Sequence, residues 1–291
     1  MTLQGAGKFK IKDLAEVTRL GFGAMRVTGE GTWGEPADID RAHTVVRKAV
    51  DLGVDFIDTA DSYGPEVSER ILCDALYPYP PGLYIGTKAG QARPGPGQWV
   101  PLGRPEYLRQ QVELSLRRLR VETLDLFQLH RIDPKVPTAD QFGVMAELQR
   151  EGKVRALGLS EVSVAQIEEA EKYFTVATVQ NQYNLIDRKS EDVLDYCERN
   201  QIAFLPWAPL ATGQLAAPGG PLDDAAQRLD ATVSQVALAW LLQHSPVMVP
   251  IPGTSSPDHL EENLKAADLQ LDDQAIRDID RASAAQPKDS R

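Results

Sequence analysis

Short apolar, β-branched runs alternate with longer amphipathic stretches along nearly the whole chain. The runs predict strands at 18–22, 54–58, 83–87, 124–129, 154–159, 176–180, 203–206 and 247–251. Helical periodicity fills the intervals. At 38–52, Ala42, Val45, Val46, Ala49 and Val50 share one face; at 104–119, Leu108, Val112, Leu116 and Leu119 do the same. Further helices are predicted at 141–151, 163–172, 189–200, 234–243 and around 272–282. A parallel connection must cross back over its sheet, so strand alternating with helix signals βαβ units, and eight units close into a (β/α)8 TIM barrel without a free edge. Runs at 8–11 and 16–18 around Lys12-Asp13-Leu14 predict an N-terminal β-hairpin against the N-terminal face of that barrel.

Punctuation agrees with this division. Asp38, Ser163 and Ser190 stand where N-caps belong, and Gly53 and Gly152 follow helical patterns as stops. Pro and Gly cluster at 29–36, 78–82, 92–105 and 211–221. The first, third and fourth clusters follow strand ends, where a barrel builds its site, whereas 78–82 precedes a strand. Eight units use almost all of the 291 residues, so a single domain, 1–291, is expected rather than two.

Charge narrows the partners. Lys and Arg total 31 against 42 Asp and Glu, a formal net charge of −11 without any basic run, which argues against nucleic acid and anionic membranes. Cys73 and Cys197 are far apart and belong to no C-x-x-C pair, so neither a disulfide scaffold nor a metal site is expected. The N-terminus has no secretory pattern and no apolar run reaches the roughly 20 residues of a membrane span. A soluble cytoplasmic protein is expected.

The polar residues at predicted strand ends carry the chemistry. Strand two runs into Asp58-Thr59-Ala60-Asp61-Ser62-Tyr63-Gly64, strand three ends Thr87-Lys88, and strand four ends Leu129-His130. A phenol is a reluctant acid at neutral pH unless a nearby cation favours its phenolate, which Lys88 supplies for Tyr63 while Asp58 holds the lysine charged. A neutral His130 donates a hydrogen bond to a carbonyl oxygen. Together they suit proton delivery to an oxygen that becomes an alkoxide as hydride reaches its carbon.

At these residues the chain resembles the aldo-keto reductases. The motifs are Leu20-Gly21-Phe22-Gly23-Ala24-Met25, Phe56-Ile57-Asp58-Thr59-Ala60-Asp61-Ser62-Tyr63-Gly64, Thr87-Lys88, Leu124-Asp125-Leu126-Phe127-Gln128-Leu129-His130, Gly158-Leu159-Ser160, Val179-Gln180-Asn181-Gln182-Tyr183-Asn184 and Ile251-Pro252-Gly253-Thr254-Ser255-Ser256-Pro257, in the family's order. The resemblance implies NAD(P)H-dependent reduction of an aldehyde or ketone, with Asp58, Tyr63, Lys88 and His130 as catalytic tetrad and Tyr63 as general acid. Gly21-Phe22-Gly23 is followed by Arg26 where a Rossmann fingerprint needs its third glycine, so the cofactor is expected extended across the C-terminal barrel face. Matching positions place Ser160 and Gln180 on the nicotinamide carboxamide and Trp207 under its ring. Gly23, Met25, Asp58, Pro209, Leu210 and Ile251 line the cofactor, and Gln214 and Leu215 wrap the pyrophosphate. The stretch 253–263 reads as a loop entering a helix whose hydroxyls and free N–H groups suit an anion. By family position Gly253, Thr254 and His259 lie near the adenosine 2′-phosphate, with Glu262 and Asn263 at the adenine.

Two positions depart from the family pattern. Glu161 stands where many members have asparagine, and an ionised carboxylate accepts from a carboxamide NH2 but donates nothing to its oxygen. His259 stands where strongly NADPH-preferring members place arginine, which leaves NADPH the expected cofactor and NADH the alternative. Trp33, Trp99, Leu102 and Arg131 are the expected substrate contacts. Leu76-Tyr77-Pro78-Tyr79 and Val236-Ala237-Leu238-Ala239-Trp240-Leu241-Leu242-Gln243 are most similar to shorter bacterial members, pyridoxal reductases among them. The chain ends soon after its last helix, so an open pocket is expected, and candidate substrates are pyridoxal-like aromatic, ketosteroid-like, sugar-derived and simple carbonyl compounds. The competing readings are an NADPH-binding redox-sensing regulatory subunit with little turnover, and a lyase or isomerase forming a Schiff base on Lys88.

Overall fold

The computed structural model describes residues 3–211 and 222–284. Strands β1 (Lys8–Lys10) and β2 (Glu16–Thr18) pair antiparallel as a hairpin, with Phe9 opposite Val17 and both buried on one face. Next come β3 (Phe22–Gly23), α1 (Ile39–Asp51), β4 (Phe56–Asp58), α2 (Val67–Leu76) and β5 (Tyr84–Ala89). A short antiparallel ribbon of β6 (Gln91–Ala92) and β7 (Val100–Pro101) interrupts the alternation before α3 (Pro105–Leu119). It resumes with β8 (Leu124–Leu129), α4 (Thr138–Arg150), β9 (Val154–Ser160), α5 (Val164–Ala170), β10 (Val176–Gln180), α6 (Glu191–Asn200) and β11 (Ala203–Phe204). Among the described residues the α-helices that follow are α7 (Asp223–Arg228), α8 (Val233–His244), α9 (Pro257–Leu264) and α10 (Asp273–Ala284).

Seven strands form one curled parallel sheet in the order β11-β10-β9-β8-β5-β4-β3. Because β4, β5 and β8 are neighbours, their C-terminal ends share one stretch of rim. The hairpin docks at the opposite end: Thr18 donates its N–H and hydroxyl to Asp55 at 2.9 and 2.8 Å, and Arg19 reaches the carbonyls of Met248 and Ser245 at 3.1 and 2.8 Å.

Four predicted strands change shape; the run 54–58 begins only at Phe56, because Val54 N–H turns back to the Ala49 carbonyl at 3.0 Å. Of 18–22, Thr18 finishes the hairpin and Arg19 N–H turns to the Gly7 carbonyl at 3.0 Å, so the sheet strand begins only at Phe22. The run 203–206 shortens to Ala203–Phe204, as Pro206 has no N–H to continue the ladder. The run 247–251 forms no ladder, since Pro250 and Pro252 each remove a donor. It makes one parallel bridge, Met248 with Phe204, and single hydrogen bonds on either side. Phe204 N–H donates to Val247 O at 2.9 Å and Val249 N–H to Phe204 O at 2.8 Å; on the other flank Gly21 N–H reaches Pro250 O at 2.9 Å and Gly23 N–H reaches Pro252 O at 3.2 Å.

Capping is partly as expected. Asp38 accepts from Arg41 N–H, and Ser163 forms a full capping box with Gln166. Ser190 makes no side-chain cap; its hydroxyl accepts from Asn181 instead, at 3.4 Å. Gly158 explains its own presence, because a Cβ there would lie 2.0 Å from the Thr178 hydroxyl. Apolar periodicity does not single out α2, whose buried face carries Ser68 and Glu69 among Val67, Ile71 and Leu72. Burying each large apolar side chain stabilises the fold by about 1.5–3 kcal/mol. Among the largest fully buried side chains, beside Trp240, Phe56 and Phe127, is the ammonium-bearing Lys88. An unpaired charge there would cost several kcal/mol, so its partners decide whether the core is stable.

Candidate active site

Lys88 projects from β5 onto the end of β4. Its Nζ donates to Asp58 Oδ2 at 2.6 Å, to the Thr59 carbonyl at 2.8 Å and to the Tyr63 hydroxyl at 3.4 Å. The second Asp58 oxygen accepts from Gln180 Nε2 at 2.9 Å and Gln128 Nε2 at 3.3 Å, and Gln128 in turn accepts from the Thr178 hydroxyl. A carboxylate that is 2% exposed thus has protein donors on both oxygens. His130, one residue beyond β8, meets the Tyr63 ring edge-on at 5.9 Å, and its Nδ1 lies 3.2 Å from the Ser62 hydroxyl. The structure therefore brings Asp58, Tyr63, Lys88 and His130 into one buried group.

Their electrostatics follow from that burial. Desolvation opposes the Lys88 charge, but the Asp58 carboxylate, the Tyr63 oxygen and hydrogen bonds to both prevail, leaving its pKa above the usual lysine value. For Tyr63 burial raises the pKa more than Lys88 lowers it, and Asp58 adds to the rise. Lys88 does favour the phenolate, as expected, but burial outweighs it, so the Tyr63 pKa stands above the usual tyrosine value and the phenol keeps its proton at pH 7. His130 is held well below the usual histidine range by burial, then by the charges of Lys88 and Arg131, so its ring is neutral at pH 7.

The expected cofactor residues spread along the same rim. Ser160 ends β9, buried, with its hydroxyl accepting from Arg131 at 3.1 Å. Gln180 ends β10 with its amide nitrogen on Asp58, leaving Oε1 as the atom able to accept from a carboxamide. Glu161 turns away from that position. Its backbone takes a positive φ of 55°, and its carboxylate accepts from Gln182 N–H and from Trp207 Nε1, both at 2.6 Å, which pins the half-exposed indole. Pro209 is buried and Leu210 half-buried beyond Trp207, while Gln214 and Leu215 lie outside the described residues. Gly23 packs so tightly that a Cβ would meet Ile251 O at 2.6 Å, and Met25 is exposed at the rim.

Ser256 caps α9, and the Thr254 hydroxyl accepts from Ser256 N–H at 3.0 Å. Gly253 and His259 are exposed there. Glu262 lines an open cleft of ≈ 620 Å³ with Asp230, Thr232, Gln235, Asp258 and Glu261; the four buried residues do not border it. Asn263 is buried.

Among the residues expected to contact substrate, one neighbour that sequence reasoning passed over holds several in place. Arg93 lies with its guanidinium 3.6 Å from the Trp99 ring centroid and 5.4 Å from that of Trp33. It donates to the carbonyls of Thr32 at 2.8 Å, Ser62 at 3.0 Å, Gln98 at 3.0 Å and Gly31 at 3.3 Å, so three loops hang on one side chain. Trp99 meets His130 edge-on at 6.5 Å. Leu102 is half-buried, its N–H on the Gly90 carbonyl, and Arg131 donates to the carbonyl of His130 as well as to Ser160. Two residues before Tyr63 in the same loop, Asp61 is buried with Oδ1 unpartnered and Oδ2 3.4 Å from the Tyr107 hydroxyl. Burial, then Glu69, pushes its pKa well above the carboxylate range. Glu69, fully buried, accepts from the Thr87 hydroxyl at 2.6 Å and from Arg118. The one cue for these was the polar types inside otherwise apolar motifs.

Among the described residues no group of three or more His, Cys, Asp or Glu is placed to hold a metal ion, and no helix is long and apolar enough to cross a membrane. Comparison with known proteins completes the picture. The chain is 56% identical over 275 residues to an uncharacterised oxidoreductase of Schizosaccharomyces pombe, covering 94% of this chain and 89% of that one. It is 41% identical to the pyridoxine 4-dehydrogenase of Escherichia coli, over 91% and 94% of the two chains. Its fold matches the solved glycerol dehydrogenase of Gluconobacter oxydans with a TM-score of 0.88, 27% identity and 98% coverage of each chain. The sequence model of the Aldo/keto reductase family matches residues 19–284, so the buried Asp58–Lys88–Tyr63 group sits in a chain that belongs to that family and is an oxidoreductase.

Proposed function

We propose that the chain reduces an aldehyde or ketone to an alcohol at the expense of NADPH, with Tyr63 as the proton donor and Lys88, Asp58 and His130 serving it. One observation carries the reading: a fully buried lysine 2.6 Å from Asp58 and 3.4 Å from a protonated phenol, beside a neutral imidazole. In the family's chemistry the reduced nicotinamide supplies a hydride to the carbonyl carbon. The fit of the group is supported by the free Oε1 of Gln180, the Ser160 hydroxyl and the indole of Trp207 held by Glu161, all on the rim that carries Tyr63. Ser160 and Gln180 would hold the carboxamide, Trp207 the ring, and the start of α9 with Thr254 and His259 the phosphate end.

Tyr63 keeps its proton until negative charge grows on the substrate oxygen. Lys88 then stabilises the phenolate left behind, which it does strongly because the pair is shielded from water. His130, neutral, offers its ring N–H to the same oxygen, and Asp58 keeps Lys88 charged and aimed. A lysine so firmly protonated is a poor nucleophile, which counts against Schiff-base chemistry.

We read 247–252 as the eighth strand position, tied to both sheet edges, so that the whole chain is one (β/α)8 barrel domain with the hairpin across its N-terminal end. For substrate we favour planar aromatic aldehydes of the pyridoxal class. The Trp33–Arg93–Trp99 wall offers flat apolar surface, and the Escherichia coli relative is a pyridoxine 4-dehydrogenase. The test is NADPH oxidation followed at the nicotinamide absorbance across a carbonyl panel. Wild type turns over aromatic aldehydes fastest, while Tyr63→Phe loses turnover by at least about a hundredfold and still binds NADPH. Full activity of Tyr63→Phe on every substrate would dismiss the assignment.

A further inference from the structure

A neutral imidazole carries a single N–H, so the role given to His130 depends on which nitrogen bears it. The ring is 5% exposed, and its Nδ1 faces the Ser62 hydroxyl at 3.2 Å, leaving Nε2 as the nitrogen available to a substrate oxygen. Nδ1 is also the one hydrogen-bond partner of Ser62 Oγ among the described residues. Ser62 is itself only 2% exposed. If its hydroxyl merely accepted from Nδ1–H, its own proton would be a buried donor without an acceptor, an arrangement that folded proteins avoid. Donation from Oγ to Nδ1 satisfies both groups at once, and Nδ1 accepts only when the ring proton is on Nε2.

The surrounding packing keeps the two groups in register. The Ser62 carbonyl accepts from Arg93 Nη1 at 3.0 Å, and the same nitrogen holds the Thr32 carbonyl at 2.8 Å. Arg93 is 8% exposed and stacked on Trp99, which stands edge-on to the His130 ring at 6.5 Å, while Tyr63 meets that ring edge-on at 5.9 Å. The His130 backbone is fixed by its N–H to the Ala89 carbonyl at 2.8 Å. The imidazole has two aromatic rings edge-on to it, and one hydroxyl addresses one nitrogen.

We infer that Ser62 is a positioning residue, whose hydroxyl holds the His130 proton on Nε2 so that the ring donates to the substrate oxygen, and that Arg93 fixes the Ser62 backbone for this task. The inference rests on the reading of His130 as the group that polarises the carbonyl. Burial and the neighbouring charges of Lys88 and Arg131 add to it by keeping the ring neutral.

The experiment is a long-range proton–nitrogen spectrum of uniformly 15N-labelled protein at pH 7. The chain has 4 histidines, so the His130 signals are identified by their loss in His130→Gln. Wild type is expected to show a protonated Nε2 and a bare Nδ1. Ser62→Ala gives a mixture of tautomers and a kcat about tenfold lower with unchanged KM for NADPH, and Ser62→Thr, which keeps a hydroxyl, restores both. A wild-type ring protonated on Nδ1 overturns the inference whatever the variants do, including any that fail to fold. So does Ser62→Ala with wild-type tautomer or wild-type kcat. Wild-type turnover in His130→Gln instead removes the role of His130 itself while leaving the tautomer spectra intact, so the two failures are told apart.

Discussion

Asp58→Asn alters one atom in the middle of the buried group and separates its structural from its chemical role. In the wild type Lys88 Nζ, 0% exposed, has its negative partner at 2.6 Å, with two glutamine donors on the far oxygen. Asparagine keeps the volume but removes the charge, and whichever way its amide turns an NH2 faces another donor, either Lys88 or the glutamine pair. Breaking a buried ion pair from one side costs about 3–5 kcal/mol, because the remaining charge stays buried without compensation. At roughly 2 °C per kcal/mol for a large domain the thermal midpoint should fall by about 6–10 °C. The Lys88 pKa, raised now by Asp58, should drop as well, and turnover should fall with it because a neutral amine no longer stabilises a Tyr63 phenolate. Asp58→Asn combined with Lys88→Met removes both charges. Its midpoint should recover to within a few degrees of wild type while turnover stays lost. Calorimetry and NADPH oxidation on the three proteins decide the matter. A double variant less stable than Asp58→Asn alone would refute the reasoning, as would a single variant as stable as wild type.

Asp61→Asn should raise the thermal midpoint at pH 7: the folded carboxyl has a raised pKa, so the wild type loses stability as pH climbs from the unfolded value of about 3.9 toward the folded one, and the gain should vanish near pH 3. For His130 the sign is opposite. The folded ring refuses a proton that the unfolded chain accepts below about pH 6.5, so stability should fall with acidification from there, while a pH profile of kcat shows no inflection near 6.5 belonging to this residue. Glu161→Ala releases the indole of Trp207, and KM for NADPH should rise about tenfold with kcat little changed, accompanied by a shift in tryptophan fluorescence.

Most of the strand–helix rhythm was legible because strands and helices bury faces of different period, and the curled parallel sheet expresses that directly. What the periodicity could not see were elements whose buried face is polar: α2 carries Glu69 inward, and its compensation by Arg118 and Thr87 is a property of the folded chain. Prolines misled in the other direction, since 247–251 is apolar enough for a strand yet Pro250 cannot donate to one. Asp58, Tyr63, Lys88 and His130 stood out because strand ends are few and polar residues at them fewer. Ser62, Arg93 and Gln128 did not, for each acts through a partner far along the chain, Gln128 on Asp58 at 70 positions and Arg93 on Ser62 at 31. Glu161 was legible only as a departure from the family pattern; its task, holding Gln182 N–H and the Trp207 indole, is a property of the folded chain.

The seam at which 247–252 meets β3 also orders events during synthesis. The Gly21 and Gly23 amides receive their acceptors only when Pro250 and Pro252 have been made, and Arg19 waits for Met248, 229 positions downstream. Until the ribosome has passed that point the β3 side of the sheet is an unfinished edge, open to pairing with a neighbouring nascent chain. A transcript truncated before this stretch would therefore yield a fragment with an open sheet edge, prone to aggregation, rather than a smaller working fold.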